Sequence, residues 1–316
     1  MARRVDRLIT HIRSITENET ANSTTDITDN EIIEYLNEAQ HRIQARIVSQ
    51  HPRVFIEETT IAAVADQEEY NLPSDVFLNN KILSVEYTTD SASSSPTYYT
   101  LKPAYQRDRN SHISGVPTKY IRRDKLTNAT GSFLASPAPS GTNGQFRITY
   151  IRRIDELDKR RGIVSAVTLT SSAISALTLD ISGEPPIDST DLADHDFLTV
   201  VNDEGTIQMR NVKFSTINTG TGVVTVDGSF TFDSGETIAV GDYIVGGKDT
   251  SSHSSLPRNV ERYLIEFAAW KIFKRDSSTD SAEQTQELLA LEADIIESYQ
   301  EIEEDVSTIA ILEDWD

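Results

Sequence analysis

The apolar residues of this chain change period twice, and that double switch limits what it can fold into. Near both ends they recur every three or four residues, while from about residue 54 to 250 they tend to alternate. At the start, Val5, Leu8, Ile9, Ile12 and Ile15 share one helical face. Asn18 to Asp29 is rich in Asn, Thr and Ser, side chains that compete for backbone hydrogen bonds and so predict a loop. Thr28 and Glu31 form a T-x-x-E capping box. Ile32, Leu36, Ala39, Ile43 and Ile47 then make one stripe, with Glu34, Asn37, Glu38 and Gln44 largely outside it. A helix from Glu31 to Ser49 would be about 28 Å long at 1.5 Å per residue. Near the other end, Pro257 suits a first helical turn, where its missing N–H does no harm. Val260, Tyr263, Leu264, Phe267, Ala268, Trp270, Ile272 and Phe273 then cover most of a helix circumference, which predicts burial on more than one side. A last helix starts near Asp280, with Glu283 completing a D-x-x-E start. Leu288, Leu291, Ile295, Tyr299 and Ile302 give it a narrow seam.

Between these ends the reading is strands. Val54 to Ile61, Ile82 to Tyr87, Thr118 to Ile121 and Gln145 to Ile151 are β-branched or alternate, and Leu72 to Val76 is a turn in which Pro73 blocks pairing. Long polar loops, Thr88 to Thr97 and Ser136 to Gly141, lie among them; loops of this length usually carry function or meet a partner. From Gly162 to Gly247 short runs recur at Val167 to Leu169, Leu177 to Ile181, Phe197 to Val201, Thr206 to Val212 and Val223 to Val226. Gly and Pro turns separate them, the pattern of a small sandwich or barrel. The fold class predicted is α+β: N- and C-terminal helices packed as a helical bundle, strands between them, and an inserted small all-β module. The domains predicted are residues 1–161 with 248–316, and the insertion 162–247.

Composition excludes several chemistries. The 316 residues include no cysteine, so disulfides, thiolate nucleophiles and cysteine-ligated zinc are ruled out. No apolar run approaches the roughly 20 residues that cross a bilayer, and charges interrupt the N-terminal stretch where a secretory signal would need its apolar core. No membrane association is expected, and the two N-x-S/T patterns at Asn18 and Asn22 read as chance. The net charge of −21 opposes general phosphate binding, because nucleic-acid affinity comes mostly from Lys and Arg. It suits equally a surface over which DNA slides and plain solubility. Six scattered histidines show no ligand spacing. The acidic group Asp188, Asp191, Asp194, His195 and Asp196 lacks the EF-hand pattern and reads as a solvated loop, so no metal and no cofactor is expected. Gly220-Thr221-Gly222 lacks the lysine of a phosphate loop and reads as a hairpin turn. No G-x-S-x-G elbow is present, and no catalytic residue is assigned. Arg122 and Arg123, with Arg152 and Arg153, form basic patches that fit either an acidic partner or DNA backbone, or a solvated strand end. From Asp276 onward there is no Lys or Arg, and past Asp305 the tail through Ile309, Ile311, Leu312 and Trp315 is apolar. Such a tail docks on its own domain or on a partner.

The order of these elements carries a resemblance. Glu31-Ile32-Ile33-Glu34-Tyr35-Leu36-Asn37-Glu38-Ala39-Gln40 leads into strands, followed by Tyr70-Asn71-Leu72-Pro73-Ser74-Asp75-Val76 and Ile82-Leu83-Ser84-Val85-Glu86-Tyr87. A closing helix bears Arg262-Tyr263-Leu264-Ile265-Glu266-Phe267-Ala268-Ala269-Trp270-Lys271. Over residues 1–160 and 250–316 this resembles the head-to-tail adaptor (connector) proteins of short-tailed phages, including the tail accessory factor of P22-like phages. The resemblance implies a structural virion protein, made in the host cytoplasm, that forms a dodecamer in the neck, monomeric until it orders on the portal. Its partners would be the portal protein, the tail nozzle or tail-tube protein, its own copies, and DNA passing the lumen during ejection. It implies a portal-binding role for the C-terminal segment, here Ile309, Ile311, Leu312 and Trp315. The broad face of Tyr263, Phe267, Trp270 and Phe273 is the expected subunit interface. The readings set against it are a virion glycan- or receptor-binding module at 162–247 and a cell-wall hydrolase. The first wants exposed aromatics, yet that module has one tyrosine, Tyr243, and no tryptophan.

Overall fold

A computed structural model describes residues 3–16, 27–79, 81–108, 114–123, 131–170, 173–187, 192, 195–230, 237–275 and 281–312. The chain forms two compact units, residues 47–153 and residues 1–46 with 154–316. The predicted bundle with an inserted module does not hold. The described residues are mostly β: eighteen short strands, six of them closed into a barrel, against four helices, the first only 11 residues long.

The helices are α1 (Val5–Ile15), α2 (Asp29–Gln50), α3 (Arg258–Arg275) and α4 (Ser281–Leu312). None is long and apolar enough to cross a membrane. The capping box forms as spaced: Glu31 N–H donates to Thr28 Oγ1 at 3.2 Å, and Thr28 N–H to Glu31 Oε2 at 2.8 Å.

The unit 47–153 holds ten strands in chain order: β1 (Ile56–Ala62), β2 (Glu69–Asn71), β3 (Ile82–Thr88), β4 (Tyr99–Thr100), β5 (Lys102–Pro103), β6 (Ser114–Gly115), β7 (Lys119–Arg123), β8 (Ser132–Ser136), β9 (Ala138–Pro139) and β10 (Gln145–Ile151). They pair as β1-β10-β3-β4, β2-β8-β7-β5 and β6-β9. The two larger sheets share an aromatic core of Tyr70, Phe133, Phe146 and Tyr87, with ring centroids 4.7 to 5.5 Å apart. The alternation of β10, with Phe146, Ile148 and Tyr150 buried and Arg147 and Thr149 outward, is what places this core on one side only.

In the other unit, β11 (Glu156–Leu157) pairs in parallel with β18 (Thr250–Ser251). Between them lie β12 (Gly162–Thr170), β13 (Ala173–Leu179), β14 (Phe197–Val201), β15 (Ile207–Asn218), β16 (Val223–Phe230) and β17 (Tyr243–Gly246). These close in the order β12-β13-β16-β15-β14-β17, which leaves no sheet edge. Val164, Leu177, Leu198, Val200, Val212, Val224 and Ile244 fill the barrel and are fully buried. The Gly220–Gly222 segment is a hairpin turn: Asn218 Oδ1 accepts from the N–H of Gly220 and Thr221, and Gly222 takes φ 71°.

The bundle expectation failed because periodicity says which face is buried, not what covers it. α2 carries a second, polar stripe. Gln40 and Gln44 are fully buried, although Gln44 was expected outside the apolar stripe. The Asn37 side chain accepts from Leu157 N–H at 2.7 Å and donates to its carbonyl at 3.0 Å. Gln40 donates to the Asp155 carbonyl at 2.7 Å, and Gln44 accepts from Ile154 N–H at 3.3 Å. This face of α2 therefore serves as the hydrogen-bond partner of an extended chain segment, not of another helix.

Candidate assembly interface

The residues expected to meet other subunits or partners fall on the α3–α4 pair and on the basic patches. α3 packs on α1 and α4. Tyr263 and Phe267, expected at a subunit interface, are each 1% exposed, so the protomer itself covers them. Trp270 and Phe273 are half-buried. Trp270 Nε1 donates to Thr285 Oγ1 at 3.0 Å, with the Lys274 ammonium 5.0 Å from its ring centre. Beneath them lies a carboxylate that the sequence did not single out. Glu292, 5% exposed, accepts from Arg46 Nε at 2.8 Å and Arg42 Nη2 at 3.1 Å, and faces the Tyr263 hydroxyl at 3.5 Å. Burial pushes the Tyr263 phenol up to about 12, so it stays a donor to that carboxylate. A lone acid inside an otherwise apolar seam is a signal that can be read from sequence.

The basic patches separate by depth. Arg122 and Arg123 are exposed at the end of β7, and Arg123 pairs with Glu69 at 3.2 Å. Arg152 and Arg153 are half-buried; Arg152 lies 3.5 Å from Asp75 and 3.7 Å from Glu57. In the next run, Lys159-Arg160-Arg161, the two arginines are buried and the lysine is half-buried. Arg161 binds Asp158 through Nη2 and Nε at 2.6 and 2.7 Å, and both are almost wholly buried. Arg160 reaches Asp203 at 3.0 Å while its guanidinium stacks 3.6 Å from the Tyr243 ring centre. Sequence alone does not distinguish such arginines from solvated ones.

Of the portal-binding candidates, Ile309, Ile311 and Leu312 fall on the last turns of the α4 backbone, while Trp315 lies outside the described residues, as do Asp188, Asp191 and Asp194. His195 packs beneath Gly246, where an added Cβ would meet its ring at 2.4 Å, and Asp196 is exposed. Among the described residues no group of three or more His, Asp or Glu side chains is placed to hold a metal ion.

The class these surfaces belong to is given by comparison. Residues 3–172 match the family model described as SU10 adaptor protein. That is more than half of the chain, and the chain belongs to this family: it is a phage structural adaptor, a component of the virion that associates with portal and tail parts. The match ends between the first two barrel strands, so α3, α4 and most of the barrel lie beyond it. No protein of curated function matches the chain.

Proposed function

We propose that the chain is a head-to-tail adaptor, twelve copies of which form a ring between the portal protein and the tail nozzle or tail-tube protein. The ring encloses part of the DNA channel and performs no catalysis. In this reading residues 1–161 and 248–316 form the part that meets the portal, and residues 162–247 face the tail. The net charge of −21 supports a lumen along which DNA moves without being held.

One observation carries the portal end of this reading. The contacts Trp270–Thr285 and Tyr263–Glu292 pair α3 and α4 antiparallel, so Arg258 comes level with about Glu297. α4 continues to Leu312, outrunning α3 by about 22 Å at 1.5 Å per residue. The apolar residues Ile309, Ile311 and Leu312 sit on that continuation, beyond the reach of α3.

The test is chromatography with light scattering on the chain mixed with its portal ring. The full chain is expected to move onto the portal peak near one copy per portal subunit. A chain truncated after Thr308 is expected to melt at the same temperature and stay off the portal. Co-purification of the truncated chain would refute the portal contact; failure of the full chain to associate would refute the adaptor ring.

A further inference from the structure

The sequence contains one Asn-Gly pair, Asn143-Gly144. Asn143 is exposed, on the bend that leads into β10. Its carbonyl accepts from Ser91 N–H at 2.9 Å and from Ser91 Oγ at 3.0 Å. The Gly144 carbonyl accepts from Ala63 N–H at 2.9 Å. The two carbonyls are thus anchored. Among the described residues, nothing bonds to the Asn143 side-chain amide or to Gly144 N–H.

The core holds the glycine in place. A Cβ at 144 would run into the ring and hydroxyl of Tyr87, which belongs to the aromatic core. Glycine has no side chain to shield its own nitrogen from the residue before it. The packing that excludes every other residue at 144 therefore keeps beside Asn143 the neighbour that leaves it most open to attack.

We propose that Asn143 is a site of spontaneous covalent modification, at which the folded chain deamidates. The Gly144 backbone nitrogen gives its proton to base and attacks the side-chain carbonyl carbon of Asn143. A C–N bond forms to Gly144, the bond to the amide nitrogen breaks, and that nitrogen takes a proton and leaves as ammonia. One water then opens the resulting succinimide at either carbonyl, giving aspartate or isoaspartate. In sum one water enters and one ammonia departs, with no oxidant and no cofactor.

The two products load the fold differently. Aspartate keeps the main chain and adds a charge to an exposed side chain. Isoaspartate routes the main chain through the side chain, which lengthens it by one carbon and turns the carbonyl held by Ser91 into a carboxylate off the main chain. The extra carbon enters directly before Gly144, where Tyr87 leaves no room, and at the start of the strand that pairs with both β1 and β3.

The test keeps the purified full chain folded in mildly alkaline buffer and follows its tryptic peptides by mass spectrometry. Asn143 is expected to convert several-fold faster than every other asparagine of the chain, giving both products. Asn143→Asp, which carries the charge without the added carbon, is expected to melt with the native chain, and the aged isoaspartate fraction below both. Conversion at Asn143 no faster than at the other asparagines overturns the proposal. An isoaspartate fraction that melts with Asn143→Asp overturns the strain assigned to the added carbon.

Discussion

His253 is 8% exposed, and its Nδ1 lies 3.0 Å from Ser252 Oγ. Its ring closes on Gly205, where an added Cβ would come within 2.3 Å and where φ is 88°. Burial, then the nearby Arg160 and Arg4, push its imidazole down to about 4, against the pull of Asp203. The unfolded residue titrates near 6.5. The folded state therefore prefers the neutral ring. That preference stabilises the fold above pH 6.5 and is lost as pH falls through 4. His253→Asn is expected to lose less stability than the native chain between pH 6.5 and 4, measured by urea unfolding across that range. Parallel curves for the two proteins would show that the histidine is not what titrates. Nothing in the spacing of the six histidines marks this one; the Gly205 contact that buries it joins residues 48 positions apart in the chain.

Residues 154–161 form the element on which one unit depends. The segment is pinned to α2 through Asn37, Gln40 and Gln44, and its own side chains reach the barrel. Asp158 Oδ2 accepts from Gly246 N–H at 2.6 Å as well as from Arg161, and Asp155 makes a two-point pair with Arg210 at 2.6 and 3.1 Å. Asp158→Ala removes the carboxylate that binds the buried Arg161 guanidinium at two points and accepts from Gly246 N–H. The expected cost is about 3–5 kcal/mol, read as a fall in the denaturant midpoint; a loss below 1 kcal/mol would mean that water replaces the carboxylate. Part of this element was legible. Asn37, Gln40 and Gln44 recur at helical spacing beside the apolar stripe, and a polar stripe on a helix that must be buried needs partners. Their identity was not legible, because the partner is backbone 115 residues away and backbone has no sequence signature.

At the scale of the molecule, salt tests the physics of the proposed portal contact. The α4 extension would meet the portal through apolar side chains. Raising salt to about 1 M shortens the screening length from about 10 Å to about 3 Å. The expected outcome is that the chain stays on the portal ring, read by light scattering on the separated complex. Complete release of the chain at high salt would make the portal contact ionic and refute its apolar description.

The sequence by itself determined the four helical stretches and the longer alternating strands β1, β3 and β10, because periods of 3.6 and 2 are local properties of backbone geometry; β8 and β17, short and buried along almost their whole length, carried no such period. It determined the capping box at Thr28 and Glu31, the turn at Gly220–Gly222 and the lack of thiol chemistry for the same reason: each depends on a few adjacent residues or on none. The tertiary structure alone decided that α2 serves an extended segment, that Tyr263 and Phe267 are covered within the protomer, and that Arg160 and Arg161 are interior while Arg122 and Arg123 are not. Each of these is a pairing between distant residues, set by which surfaces exclude water together, and no local pattern encodes it.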